Sequence, residues 1–384
     1  MYTLQDLVES HAKVIDSLKL VLYNRHPDIF QRLDFEDDTI YAEPLLYTYI
    51  NQPDTKWLDA IIYGYEKIKK PVIEVFSNAQ GVIYIPGIGY FLTDLPYTTF
   101  LLKTSESGFS LEFNGEKIGY VFEELLFFDY GIEIVKYQYP LFEAIFDEED
   151  TEDSPILIKD VYKHHLTTMS KGLELIKQYN PEFFRMLLIC LKKIMLFTAR
   201  LPYSFATLSI HNMIFMNVNL WDTEIFFVDH FSHEGAHVIF FTITYDSKVR
   251  MFTCPFNTPA TDIKSLGLNH GTIYLRFHGL FTFQEIARSL ALCMASLPSS
   301  DKNQDEIRGR LIFQMERFRL MLDLFSDKEI LAAEGLQWFE SFKETYKNLT
   351  AQYNAVAGMY DLSDQPYDFS YKIFTEKNKQ QISI

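Results

Sequence analysis

The stretch FSHEGAHVIF, Phe231 to Phe240, sets two imidazoles four residues apart with a carboxylate directly after the first. On a helix, positions i and i+4 share one face about one turn apart. His233 and His237 can then bind one divalent ion without backbone strain, which is the physical content of HExxH spacing in metal proteins. Glu234 stands about a quarter turn away, near such an ion but not forced onto it. Core histidines satisfied by neighbouring groups are the alternative. The flanking run FFVDHFSHEGAHVIFFTI (226–243) is apolar enough to predict a buried helix, where polar groups need partners and a metal supplies one. His230 adds a further imidazole three residues upstream, and Asp229 is a candidate to orient a ligand histidine.

Two histidines rarely suffice, because a catalytic ion usually takes three protein ligands and keeps open positions. The longer HExxHxxGxxH pattern fails: Phe240 stands at its glycine and Ile243 at its third histidine. The downstream candidates are His270, His278 and Glu285. His270 precedes Gly271 in a predicted loop. His278 lies in FHGLFTFQEIAR (277–288), which reads as the opening of a second helix, so a ligand there lets two helices clamp the ion. Glu285, seven residues on, shares the His278 face as a supporting or substitute ligand.

HEGAH followed about 40 residues later by HGLFTFQEIA resembles the HExxH-type peptide-modification proteins. That family is known as 2-oxoglutarate- and iron(II)-dependent peptide β-hydroxylases acting on ribosomally made precursor peptides. The upstream PYSFATLSIHNMIFMNV is similar to the family's approach to its HExxH helix, and the likeness covers roughly residues 200–325. It implies that His233, His237 and His278 bind Fe(II), leaving three positions for a bidentate co-substrate and oxygen. It also implies a precursor peptide as partner. The family often carries Pro-Trp-Arg between the two motifs, but Cys254-Pro-Phe-Asn257 stands there, without the arginine. A 2-oxoglutarate carboxylate needs a cationic fork in a dry pocket. Arg250, Arg276 and Arg288 are the local stand-ins, each alternatively a surface or structural arginine. Arg288, ten residues after His278, is placed to face the site, whereas Arg276 points away. Two other functions use the same residues: a zinc hydrolase with Glu234 as general base, and a non-catalytic peptide-binding protein.

These side chains need a frame. Residues 1–70 read mainly as helices, with a stripe at Leu4, Leu7, His11, Val14 and Leu18 and a second segment from Trp57. Residues 71–145 are rich in β-branched and aromatic residues broken by turn signals, and Asn114-Gly115 marks a hairpin. The GxG of Pro86–Gly89 reads as a turn, not a phosphate loop. Exposed strand edges there suit leader-peptide recognition by strand addition. The acidic run Asp147–Asp153 is a solvated boundary. Residues 155–200 read as helix, with Asn180-Pro181-Glu182 as a helix start, and 203–220 as extended. Helices follow near 279–297, 303–325 and 327–350, the last capped by Ser326-Asp327. His164 and His165 project from different faces, a surface or capping pair. The expectation is an α+β chain, mainly helical, with a β-rich N-terminal subdomain (1–150), a helical metal-binding part (151–374) and a frayed tail (375–384).

Composition narrows the function classes. The chain has 384 residues with 34 Phe and 24 Tyr, ample for a large core. A net charge of −17 argues against nucleic-acid binding, which needs clustered Lys and Arg. Cys190, Cys254 and Cys293 are too few and too scattered for a disulfide framework, which fits a reducing, cytoplasmic setting; Cys254 falls in a loop near the histidines. No uncharged apolar run reaches membrane-spanning length, and the N-terminus reads as an amphipathic helix, not a signal peptide.

Overall fold

The computed structural model describes residues 2–52, 56–106, 108–142, 146, 155–263, 266, 271–326 and 328–382. It is a mixed α+β fold, with its strands between residues 72 and 217 and a helical C-terminal half. Two compact units emerge: residues 1–11, 167–190 and 221–384 form one, and 12–166 with 191–220 form the other. This division differs from the expected boundary at 150. Residues 191–220 join the strand-bearing unit because their strands pair there, and residues 1–11 join the helical one. The long helix α1 (Leu4–Arg25) runs across the division.

In the strand-bearing unit, three helices, α2 (Asp38–Tyr41), α3 (Pro44–Asn51) and α4 (Lys56–Ile62), precede the sheets. Strands β1 (Val72–Phe76), β4 (Thr99–Ser105), β5 (Gly108–Phe113) and β6 (Glu116–Ile118) form one antiparallel sheet, in that order. A second holds β2 (Val82–Ile85), β3 (Gly89–Leu92) and β7 (Val121–Glu124). The β-branched and aromatic residues that predicted strands fill their core, where Ile73, Val75, Phe91, Phe100, Leu102 and Leu111 are buried. The Asn114-Gly115 turn joins β5 to β6 with φ of 51° and 83°, the left-handed pair such a hairpin requires. Residues 86–88 turn β2 into β3, as the GxG reading expected.

The third sheet runs β11 (Met213–Asn217), β10 (Lys193–Phe197), β9 (Glu133–Ile134), β8 (Leu126–Phe127), with β10 parallel to both neighbours. Here the reading of 155–200 as helix is corrected, because 193–197 is a strand. KIMLF is buried at every position, so it lacks the alternation that marks a one-faced strand. Its Lys193 is buried and neutralised by Glu133 at 2.7 Å and Glu43 at 3.0 Å. His165, expected at the surface, is buried, whereas His164 is exposed.

The helical unit takes most of α5 (Val161–Tyr179), then α6 (Pro181–Cys190), α7 (Glu224–Ile243), α8 (Ile273–Ser296), α9 (Gln304–Leu324), α10 (Ala333–Ala357) and α11 (Tyr371–Lys377). Helix α8 is central and packs on α7, α9 and α10. Thr223 caps α7 through the Ile225 and Phe226 amides. The frayed tail is also corrected: residues 375–377 complete α11, and buried Asn378 bonds the carbonyls of Asp361 and Phe374. That carboxamide ties the end of the helix to a loop, a partner invisible in a polar sequence. The acidic run 147–153, His270 and Asp327 lie outside the described residues. Among the described residues no helix is long and apolar enough to cross a membrane.

Candidate metal centre

Helix α7 carries His233 and His237 on one face, as the spacing predicts, with ring centroids 5.1 Å apart. On the opposite face of α7, Gly235 lets α6 approach closely, since a Cβ there would stand 2.4 Å from a Leu187 methyl. Helix α8 begins at Ile273, earlier than expected, capped by the Thr272 hydroxyl on the Leu275 amide. His278 therefore sits in its second turn and not at its opening. It projects into α7, and its Nε2 lies 3.0 Å from His237 Nδ1, the rings perpendicular with centroids 4.3 Å apart.

The environment of these rings is aromatic and dry. Phe240 stacks on His278 at 4.9 Å and 11°, and Phe241 meets it edge-on at 4.3 Å. Trp338 of α10 and Phe281 back Phe240. Phe240 and Phe241 thus hold His278 in one orientation, with Phe281 and Trp338 packed behind Phe240. His278 is buried, whereas His233 and His237 are half-buried, so the cluster has one accessible side. Burial pushes the His237 pKa down to about 4. Burial holds His278 well below the ordinary range too, with His237 and His233 adding repulsion. For His233 burial comes first, followed by His237, Arg317 and His230. All three are neutral at pH 7 and keep lone pairs for hydrogen bonds or for a metal.

The separation admits two descriptions. At 3.0 Å, His237 and His278 make an ordinary imidazole–imidazole hydrogen bond. Two nitrogens each about 2.0–2.1 Å from one ion would lie about 2.8–3.0 Å apart at octahedral angles and about 3.3–3.4 Å at tetrahedral ones, so the pair also matches one edge of an octahedron. Among the described residues no three His, Cys, Asp or Glu side chains are grouped to hold a metal ion as they stand. The structure supplies a pair in contact and a third imidazole one turn along α7.

The remaining expected residues lie elsewhere. Glu234 is buried on another face of α7, its carboxyl pushed up by burial and then by Asp368 and Asp229; its Oε2 has no hydrogen-bond partner among the described residues. Asp229 accepts from Arg310 at 3.0 Å and Gln314 at 3.2 Å and orients no ligand histidine. His230 stacks on Phe226 at 3.8 Å and bonds its carbonyl. Glu285 accepts from Gln284 and Arg288 in a separate polar cluster. That contact, with Glu182 3.8 Å away, occupies the Arg288 fork. Arg250 is exposed and bonds Glu334 and the Asp246 carbonyl. Arg276 is half-buried in the first turn of α8, and Cys254 is a half-buried free thiol.

One residue was missed. Arg317 of α9 lies over the Phe283 ring at 5.0 Å, and that ring is 6.4 Å from His233. No sequence signal marks it, since it stands 39 residues after His278 in a charged, amphipathic stretch. No known protein-family profile matches the chain, and no curated protein matches it.

Proposed function

We propose that the chain is a metal-dependent oxygenase that holds one divalent transition metal with His233, His237 and His278 and hydroxylates a side chain of a precursor peptide. The 3.0 Å approach of His278 to His237 carries this reading, since it brings the second motif to the first across two helices. The donor set fits. Three neutral imidazoles suit Fe(II) and Zn(II) alike and leave coordination positions open. Completing the set requires the His233 ring to turn toward the pair. The bound metal would supply activation of dioxygen coupled to decarboxylation of 2-oxoglutarate, giving succinate, carbon dioxide and a hydroxylated side chain. The iron, the co-substrate and the peptide rest on the resemblance at HEGAH and HGLFTFQEIA.

The chain's own residues have definable tasks. Phe240 and Phe241 orient His278, and with Phe281 and Trp338 behind them they exclude water from one side of the cluster. The half-buried rings of His233 and His237 leave the other side for ligands. A zinc hydrolase fits less well. Its base must be ionised to take a proton from water, and burial, then Asp368 and Asp229, push the Glu234 carboxyl well above the usual carboxylate range.

Metal analysis of protein purified without chelator decides the first point, with about one equivalent of metal expected. Anaerobic addition of iron(II) and 2-oxoglutarate is then expected to give a charge-transfer absorption band. Zinc retained with peptide cleavage and no such band would overturn the oxygenase reading.

A further inference from the structure

Arg317, linked to His233 through the Phe283 ring, lacks among the described residues the carboxylate partner that Arg310 and Arg319 have. Arg310 is buried against Asp229 and Glu306, and Arg319 pairs with Glu316 and Asp323. Arg317, two residues before Arg319, makes no ion pair among the described residues. Its Nη1 donates to the Tyr367 carbonyl at 3.1 Å. Aromatic rings hold the rest: Tyr367 at 4.5 Å, Phe283 at 5.0 Å and Phe313 at 5.4 Å from the guanidinium carbon. Cation–π contacts fix the plane of a guanidinium but leave its edge donors available. The side chain is half-buried, so those donors are reachable. The Phe283 ring links the two, its centroid 5.0 Å from the guanidinium carbon and 6.4 Å from the His233 ring centroid, so one aromatic ring joins the cation to the His233 side of the cluster. Consistent with that, the Arg317 charge acts on His233 and on Asp368.

We infer that Arg317 binds the carboxylate of a small organic acid held at the histidine cluster. A planar fork stacked between rings and short of acceptors is preorganised for bidentate capture of a carboxylate. This inference rests on the histidine cluster being a ligand site, and it replaces Arg250 and Arg288, whose donors are engaged by Glu334 and Glu285. Asp368 is the internal competitor, close enough to feel the charge without pairing with it.

Titration calorimetry with 2-oxoglutarate and with succinate tests it, on metal-free and on zinc-loaded full-length protein. Succinate carries the carboxylates without the 2-oxo group, so its binding reports Arg317 separately from chelation of the metal. Arg317→Gln is expected to weaken both ligands by about tenfold or more, while Arg319→Gln leaves them unchanged. Metal content and melting temperature are read on the same samples. A folded Arg317→Gln protein that binds both acids within twofold of wild type overturns the inference, as does a metal-loaded wild type that binds neither. If the wild type takes up no metal, the metal reading fails, and succinate binding to the metal-free protein still decides the role of Arg317. Should Arg317→Gln not fold, Arg317→Lys decides, since it keeps charge over the rings but loses the fork. Weakening by several-fold supports the inference, and unchanged affinity overturns it.

Discussion

Neutral buried histidines tie the stability of the metal-free protein to pH, and His237 gives the size of the effect. Its pKa in the fold is about 4, against 6.5 in an unfolded chain. Below pH 6.5 the unfolded state binds a proton that the folded state refuses until about pH 4. Stability is therefore full above 6.5 and is lost as pH falls through that window. A shift of that size corresponds to about 3 kcal/mol, and less in practice because the ring is only half-buried and solvent screens it. His233 and His278, also lowered, add to the same slope. Glu234 opposes it: its raised pKa makes the fold lose stability as pH rises through the folded value. The wild-type slope is thus a net quantity, and His237→Leu isolates the imidazole. Urea unfolding of chelator-treated protein at steps from pH 7 to pH 4.5 is the assay. His237→Leu is expected to lose less stability than wild type across the window, by about 1–3 kcal/mol. Parallel curves for the two proteins would refute the assignment of His237 as a buried neutral base.

Two further substitutions probe the frame behind the site. Arg310→Met leaves Asp229 and Glu306 buried without their cation and is expected to cost about 3–5 kcal/mol in chemical denaturation; a loss under about 1 kcal/mol would contradict the burial of that network. At Gly172 of α5 a Cβ would stand 2.6 Å from Phe227 Cβ and 2.8 Å from the Glu224 carbonyl of α7. Gly172→Ala should therefore destabilise by about 1–3 kcal/mol despite its better helix propensity, and a raised melting temperature would show that α5 does not approach α7 so closely.

What the sequence disclosed followed from periodicity. The i, i+4 spacing placed His233 and His237 on one face, Asn114-Gly115 specified its turn, and the apolar run 226–243 became a buried helix. Convergence of His278 on His237 was legible only as an expectation drawn from a second motif, because it depends on how α7 and α8 pack. Features set by side-chain competition were hidden. Glu285 and Arg288 were each read toward the ion, yet at i, i+3 they satisfy one another. Asp229 was read as support for a ligand but is claimed by Arg310, 81 residues away. Arg317 carries no motif, and its significance comes from an aromatic surround assembled from three separate stretches of chain. The β10 strand was lost to the helix reading because burial on both faces erases alternation.

X-ray absorption at the edge of the bound metal, on protein reconstituted with one equivalent of iron(II) or zinc, measures the central claim directly. The account predicts imidazole back-scattering with about three nitrogens at roughly 2.0–2.2 Å, falling by one in His278→Ala. A first shell without imidazole nitrogens, or one unchanged by His278→Ala, would contradict it.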